Sequence, residues 1–210
     1  MDTVGYSNKI MGNVLEVGCG VGAFSQKLGE RSENVIGLDL DRKAINCAKS
    51  FNRDVDFVVG DAQHLPFKKD VFTLGICAET LEHVPDDAKA LSELHKVTKG
   101  SGHLFVTVPN YISSGRFTQF LRSMLRRWGQ PKDLHVYHYL KIRKLFVRTH
   151  LKIVEMKGAN LVHFPFVNFR LRSQDSALRK VLFYLDEKVG RTLSFLGTTI
   201  GVIAKPLKNI

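Results

Sequence analysis

The stretch VLEVGCGVG at positions 14–22 decides the fold of this chain. It reads as a short apolar strand, then a loop with glycine at every second position, then a helix that begins near Ala23. Glycine lets the backbone come close to a ligand. In a parallel sheet such a loop lies at the carboxyl ends of the strands, where ligands bind near the topological switch point. Taken alone, the loop also fits a tight turn that binds nothing.

Short apolar runs continue to alternate with helix-like stretches through the first half of the chain. Each run is rich in Val, Ile, Leu or Phe and is followed by a turn or cap signal. The runs predict strands at 14–17, 35–38, 55–59, 71–76 and 103–108. Before the last strand, Asp86 predicts the N-cap of a helix and Gly100 predicts its end. The pattern therefore predicts an α/β fold with a parallel sheet.

The spacing of the glycines distinguishes two kinds of nucleotide-binding loop. A dinucleotide fingerprint has glycine at its first, third and sixth places, and the sixth place here is Ala23. Glycine stands instead at positions 18, 20 and 22, after the acidic Glu16. This pattern resembles the E/D-x-G-x-G-x-G motif of class I S-adenosylmethionine-dependent methyltransferases. An NAD-dependent reductase is the less favoured interpretation.

Three further segments follow in the order of that family. Asp39 ends the second strand 19 residues after Gly20, where a carboxylate accepts hydrogen bonds from both hydroxyls of a ribose. The segment GDAQHLPF at 60–67 is similar to the family's G-D-A-x-x-L-P-F string, whose acid accepts from the adenine amino group. The segment FTLGICAETLEHV at 72–84 is similar to the fourth strand and exit loop, which border the methyl group. Together the resemblance covers residues 14–109.

The resemblance implies a Rossmann-like fold with S-adenosyl-L-methionine as the cofactor. The expected sheet has seven mostly parallel strands with helices on both faces, and its last strand, at 198–204, lies antiparallel beside the fifth. A sixth strand is implied around 148–154. The implied cofactor-binding residues are Glu16, Gly18, Cys19, Gly20, Asp39, Leu40, Asp61, Ala62 and Cys77. Methyl transfer needs mainly positioning, and His83 and Glu79 on the exit loop are the candidate general bases.

A single domain, 1–210, is predicted, in which residues 1–110 form the cofactor-binding core. Two helical insertions, at 111–137 and 159–197, are expected to cap the substrate site. Each carries an apolar stripe at helical spacing, and arginines are interspersed in the first stripe. The stripes either pack on the sheet as a cap over the pocket, or face an anionic membrane or a lipid-like acceptor.

The positive charge of the chain belongs to its second half. Residues 1–110 hold 12 Lys/Arg against 15 Asp/Glu, and residues 111–210 hold 19 against 5. A basic half is either a solvated surface or the contact site of an anionic partner. RNA methylation is the main alternative to a small-molecule or lipid-like acceptor, but the Asn/Asp-Pro-Pro-Tyr/Phe and Pro-Cys motifs of base-modifying relatives are missing. A noncatalytic S-adenosylmethionine-binding protein that acts through a partner is the third hypothesis.

Cysteine and histidine usage adds expectations about compartment and metal. Cys19, Cys47 and Cys77 are odd in number and widely spaced, which fits a reducing compartment better than a disulfide framework. His135 and His138 stand at a predicted helix start without a companion Cys or acid, so no metal site is predicted. No apolar run approaches the roughly 18 to 20 residues of a membrane-spanning helix, and we expect a soluble, cytoplasmic protein.

Overall fold

The computed structural model describes residues 10–52, 54–111, 135–159 and 197–207. Within them, seven strands form one sheet in the order β3-β2-β1-β4-β5-β7-β6. The strands are β1 Ile10–Val17, β2 Ser32–Asp39, β3 Asp56–Val59, β4 Phe72–Ala78, β5 Thr98–Pro109, β6 Leu151–Ala159 and β7 Thr199–Pro206. The helices are α1 Ala23–Gly29, α2 Arg42–Phe51, α3 Asp87–Val97 and α4 Tyr139–Arg148, with a 3-10 turn at Leu81–His83.

The strand directions confirm the seven-stranded, mostly parallel sheet. Strands β1 to β5 are parallel to one another, and β7 runs antiparallel between β5 and β6. The carboxyl ends of β1 to β6 and the amino end of β7 therefore share one edge of the sheet. We call it the carboxyl edge, and it carries the glycine loop at 18–22 and the exit loop at 79–84.

Side chains of alternate residues build a core on each face of the sheet. Val14 packs with Leu28 of α1 and Ile45 of α2 on one face. Leu15 packs on the other face, in a cluster that includes Leu94 of α3 and Phe146 of α4. Burying each such side chain contributes about 1.5–3 kcal/mol. Helices thus cover both faces, as expected.

Some element boundaries differ from the sequence prediction. The N-cap is confirmed, because the Asp86 carboxylate accepts a hydrogen bond from the Lys89 backbone N–H at 2.9 Å. The predicted helix end at Gly100 is wrong, because α3 ends at Val97 and β5 begins at once. The Thr98 hydroxyl donates to the Leu94 carbonyl at 2.7 Å, which closes the last turn without glycine. The fifth strand consequently begins five residues earlier than predicted.

The middles of both predicted insertions lie outside the described residues. Residues 112–134 and 160–196, which carry the two apolar stripes, are among them. The first stretch begins after β5 and ends before Tyr137, which forms an isolated bridge with Asn110, and the second begins after β6 and ends before β7. All four of these points are at the carboxyl edge. In the described part of the chain, no helix has the length and apolar character needed to cross a membrane.

Candidate functional site

The glycine loop makes a tight backbone turn between β1 and α1. Gly18, Gly20 and Gly22 have φ angles of +76°, +53° and +78°, a region that side chains with a Cβ adopt only with strain. The N–H groups of Gly18 and Cys19 both donate to the Leu38 carbonyl, at 2.7 and 3.1 Å. These bonds hold the start of the loop against the end of β2.

The three glycines face different surroundings. A Cβ on Gly18 would lie 2.5 Å from Thr80 Cγ2, and one on Gly22 would lie 2.7 Å from the Phe57 ring. A Cβ on Gly20 would have no atom within 4 Å. Gly18 and Gly22 are therefore required by protein packing, whereas Gly20 presents bare backbone to open space. This is the place in the loop where a ligand can approach closely.

Asp39 lies directly beside Gly20 at the end of β2. Its Oδ2 accepts from the Gly20 N–H at 2.7 Å, and its Oδ1 accepts from the Asp41 N–H at 2.9 Å. A carboxylate offers about four acceptor positions, so both oxygens retain capacity for a ligand. Leu40, which follows Asp39, is 72% exposed, and Val21, which follows Gly20, is 54% exposed. Two apolar surfaces thus flank the Gly20–Asp39 hydrogen bond.

Asp61 follows β3 and is held by its own loop. Its Oδ1 accepts from the Gln63 N–H at 2.8 Å, and its Oδ2 lies 3.2 Å from His64 Nδ1. The backbone hydrogen bond from Gln63 is the main cause that lowers the Asp61 pKa, so the group is ionised at neutral pH. Lys89 Nζ contacts His64 Nε2, which makes Nε2 the acceptor and Nδ1–H the donor to Asp61. Ala62 is half-buried and packs against the core cluster that contains Leu94.

Three of the predicted cofactor residues lie in the interior. Glu16 is 4% exposed and accepts a hydrogen bond from the Ser25 hydroxyl, and its burial raises the pKa of its carboxyl. Cys19 is 8% exposed and Cys77 is 2% exposed, and burial raises the pKa of each thiol to about 12. Both thiols therefore stay protonated at neutral pH. Contacts of these two residues with a ligand are limited mainly to their backbone atoms.

The exit loop brings both candidate general bases to the carboxyl edge. Glu79 is exposed, has a φ of +50°, and donates its N–H to the Thr107 carbonyl at 2.9 Å. Such a backbone conformation is strained for any residue that has a Cβ, and strained residues tend to cluster at functional sites. His83 ends the 3-10 turn and is exposed as well. Thr80, between them, packs on Gly18, so the exit loop lies next to the glycine loop.

Sequence reasoning weighed His135 and His138 only as metal ligands and did not predict that the segment 135–138 packs against the exit loop. Tyr137 is fully buried, and its hydroxyl donates to Asp87 Oδ2 at 2.8 Å. Burial, reinforced by Asp87, raises the pKa of this tyrosine. The His135 N–H donates to the Glu82 carbonyl at 3.2 Å, and its ring Nε2 lies 2.9 Å from the Val84 carbonyl. His138 is the N-cap of α4, so the two histidines have separate structural contacts.

A second unpredicted residue, Asn110, joins the ends of both insertions. It is fully buried at the end of β5, and its N–H donates to the Thr198 carbonyl at 2.8 Å. Its side-chain amide donates to the Gly197 carbonyl at 2.8 Å. The next residue, Tyr111, donates its N–H to the Tyr137 carbonyl at 3.1 Å. The residues at the start of the first insertion thus contact the residues at the ends of both insertions. In the sequence, the only sign of these contacts is the polar residue at position 110.

The family model for a methyltransferase domain matches residues 15–106, the segment that contains the glycine loop, both carboxylate loops and the exit loop. The chain belongs to the class I S-adenosylmethionine-dependent methyltransferases. Its cofactor is S-adenosyl-L-methionine. The residue pattern that suggested this family in the sequence is confirmed at the level of family, fold and cofactor.

Relatives of this methyltransferase domain have names from quinone biosynthesis. Demethylmenaquinone methyltransferase of Renibacterium salmoninarum is 32% identical over 114 residues, which cover 54% of this chain and 48% of that protein. Ubiquinone biosynthesis O-methyltransferase of Burkholderia vietnamiensis is 31% identical over 161 residues, 69% of this chain and 66% of that protein. Three further relatives are each covered over 44% of their length, so the chain spans about half the length of these curated relatives.

A solved structure extends the likeness in fold beyond the matched sequence. The crystal structure of a SAM-dependent methyltransferase from Thermotoga maritima superposes with a TM-score of 0.67. The superposition covers 93% of this chain and 82% of that one, at 18% sequence identity. At that identity the likeness concerns the fold alone.

The residues of the carboxyl edge fit this cofactor. A ribose needs an acceptor for two hydroxyls, and Asp39 has unused acceptor capacity beside the open face of Gly20. An adenine needs an apolar face and an acceptor for its amino group, and these are present in the exposed Leu40 and the ionised Asp61. No described part of the protein has to move aside for a ligand to reach these groups.

Proposed function

We propose that this protein transfers a methyl group from S-adenosyl-L-methionine to a small or lipid-like acceptor. The single observation that carries the proposal is the open backbone of Gly20, hydrogen-bonded to a carboxylate that retains acceptor capacity. A merely structural glycine turn has no need of a bare, solvent-facing position next to a charged acceptor. At Gly18 and Gly22, protein side chains occupy the space that a Cβ would take, so these two glycines are examples of such structural positions.

The order of the strands arranges the cofactor contacts along the carboxyl edge. In the proposal, Asp61 and Ala62 after β3 contact the adenine with Leu40, and Asp39 after β2 accepts from the ribose. Gly18, Cys19 and Gly20 after β1 hold the amino-acid half through their backbone. Cys77, at the end of β4, contributes backbone contact near the reacting group. Glu16 contributes indirectly, because its buried hydrogen bond with Ser25 supports the start of α1.

The chain's own residues have little covalent chemistry to perform. When bound, the cofactor supplies an activated methyl group on a sulfonium centre. The two loops hold the reacting groups close and collinear and exclude water, which is where most of the rate comes from. For a hydroxyl or protonated amine acceptor, we assign proton removal to His83 or Glu79, which stand on the exit loop beside the glycine loop.

The acceptor class is inferred from the acceptor side of the sheet. Residues 111–137 and 159–197 leave and rejoin at the carboxyl edge, next to the exit loop, and we propose that they cap the substrate within a single domain. Their sequences are rich in apolar and basic residues. The quinone-pathway names of two relatives agree with a small, partly apolar acceptor, so we propose a phenolic or quinone-like molecule.

A described surface supports delivery of such an acceptor from an anionic membrane. Helix α4 exposes one stripe of five residues that contains two large apolar side chains, three basic ones and no acid: Leu140, Arg143, Lys144, Val147 and Arg148. Leu140 is 68% exposed and Val147 is 66% exposed. Residues 135–159 hold six Lys/Arg and one Asp/Glu. A basic face with exposed apolar residues is typical of peripheral contact with anionic lipid.

Isothermal titration with S-adenosylhomocysteine and with NADH tests the cofactor part of the proposal. Binding of S-adenosylhomocysteine but not of NADH supports the proposal, and preference for NADH contradicts it. Incubation with radiolabelled cofactor and phenolic or quinol acceptors then tests the transfer. Transfer to no acceptor despite tight cofactor binding favours the noncatalytic alternative.

Co-sedimentation with anionic and neutral vesicles tests the membrane part. We expect pelleting with anionic vesicles that the pair Leu140→Ser and Val147→Ser reduces. The control is Lys43→Gln with Lys49→Gln on α2, which removes two exposed basic residues outside the α4 stripe, and it should retain pelleting. Salt-sensitive RNA binding with no vesicle binding would favour the RNA alternative.

A further inference from the structure

Thr80 of the exit loop touches the glycine loop through its side chain. Strands β1 and β4 are parallel neighbours, with Val17 opposite Cys77, so Thr80 follows β4 beside the loop that follows β1. Its hydroxyl lies 3.0 Å from the Ala78 carbonyl and 3.4 Å from the Val17 carbonyl. Its hydroxyl oxygen and its methyl group both lie in the place where a side chain on Gly18 would be.

Gly18 is consequently held from two sides. Its N–H donates to the Leu38 carbonyl of β2 at 2.7 Å, and Thr80 of the exit loop packs against its Cα from the β4 side. The position of the next residues, Cys19 and Gly20, depends on where Gly18 is fixed.

We propose that Thr80 is a positioning residue that fixes the glycine loop on its β4 side and thereby sets affinity for the amino-acid half of the cofactor. The inference rests on the proposed cofactor site. The nucleoside half is assigned to Asp39 and Asp61, on the β2 and β3 side of the loop, where Thr80 makes no described contact. Loss of Thr80 therefore affects one half of the ligand and not the other.

The chain contains a matched control at the opposite end of the same two strands. Thr73 of β4 donates its hydroxyl to the Asn13 carbonyl of β1 at 2.9 Å, and it packs on Gly12, which has a φ of +94°. Thr73 thus repeats the contact of Thr80 with β1, but at the edge of the sheet away from the cofactor residues. A purely structural role predicts the same result for both threonines.

The experiment compares two ligands by isothermal titration: S-adenosylhomocysteine, which has both halves, and adenosine, which lacks the amino-acid half. We expect Thr80→Ala to weaken S-adenosylhomocysteine binding about tenfold, the scale of one lost hydrogen bond. Adenosine affinity should stay within about twofold, because its assigned contacts lie elsewhere. Thr73→Ala should leave both affinities within about twofold, even if its melting temperature falls as much as that of Thr80→Ala.

The outcomes separate the two levels of the argument. Wild-type protein that binds neither ligand overturns the proposed cofactor site itself. Wild-type protein that binds both, with an unchanged ratio of affinities in Thr80→Ala, overturns only the role of Thr80. Should Thr80→Ala not fold, Thr80→Ser retains the hydroxyl and Thr80→Val retains the shape. A changed affinity ratio in at least one of these variants supports the role, and an unchanged ratio in both overturns it.

Discussion

On the β1 to β3 side of the carboxyl edge, hydrogen bonds within or between adjacent loops hold the candidate cofactor residues. Gly20 bonds to Asp39, and Asp61 bonds to Gln63, two residues away. On the β4 and β5 side, the exit loop is held by the His135 N–H on the Glu82 carbonyl and the Tyr137 hydroxyl on the Leu81 carbonyl, from residues about fifty positions later in the chain. The cofactor side is therefore built from local and neighbouring contacts, and the acceptor side from long-range ones.

This difference explains how the two sides divide the work. The cofactor always has the same shape, so a short motif with a fixed backbone geometry is enough to bind it. An acceptor site is shaped by segments inserted after the core strands, and these segments need anchors such as Asn110 and Tyr137. We expect changes on the first side to alter cofactor affinity and changes on the second side to alter stability.

The largest expected effect is on the cofactor side, at Asp39. Asp39→Ala removes the acceptor of both ribose hydroxyls, which costs about 3–6 kcal/mol, or roughly 10²- to 10⁴-fold in S-adenosylhomocysteine affinity. Isothermal titration measures the change. Asp41→Ala is the control, because Asp41 caps α2 and should cost about 1 kcal/mol of stability with affinity retained. Equal loss of affinity in both variants would contradict the ribose assignment.

The next effect is on the acceptor side, at Tyr137. Tyr137→Phe removes the buried hydrogen bond to Asp87 and should lower the free energy of unfolding by about 1.5–3 kcal/mol in urea titrations. S-adenosylhomocysteine affinity should stay within about twofold, because Tyr137 lies on the other side of the edge. A large fall in affinity with unchanged stability would break the division between the two sides.

A smaller effect is expected at Gly20, where affinity and stability both respond. Gly20→Ala places a Cβ at a φ of +53°, which costs about 1–2 kcal/mol of stability, and fills the open space assigned to the ligand. Titration should show about tenfold weaker S-adenosylhomocysteine binding. Gly100→Ala is the control, since Gly100 also has open space around it but no positive φ. Weaker binding in the control would contradict the role of Gly20.

The smallest effect concerns the pH dependence of stability. Burial raises the pKa of Glu16 above its ordinary 4.5, so the stability of the wild type falls as pH rises from that value through the raised pKa. Glu16→Gln removes this group, and its stability relative to wild type should increase over the same interval. Urea unfolding at several pH values checks the sign. A relative gain of the wild type with rising pH would mean that the carboxylate is stabilised in the fold.

The predictable part of the molecule follows from patterns of short range. Apolar runs at strand length, glycines at alternate positions and the Asp86 cap predicted the sheet and the loops, since each depends on a few neighbouring residues. The helix end at Gly100 was wrong, because the Thr98 hydroxyl replaced glycine in closing the turn. Glu16, Cys19 and Cys77 were named from the motif, and their burial became visible only in the fold.

The sequence by itself determined the family, the α/β fold, the cofactor and the order of the motifs along the chain, because these depend on local propensity and on motifs of fixed spacing. Only the tertiary structure decided which glycine faces open space, and it alone brought Thr80 onto Gly18 and Tyr137 onto Asp87. Those contacts join residues that are about fifty or more positions apart in the chain, and the pairing of strands and the packing of helices bring them together in space. No local pattern in the sequence encodes that spatial proximity.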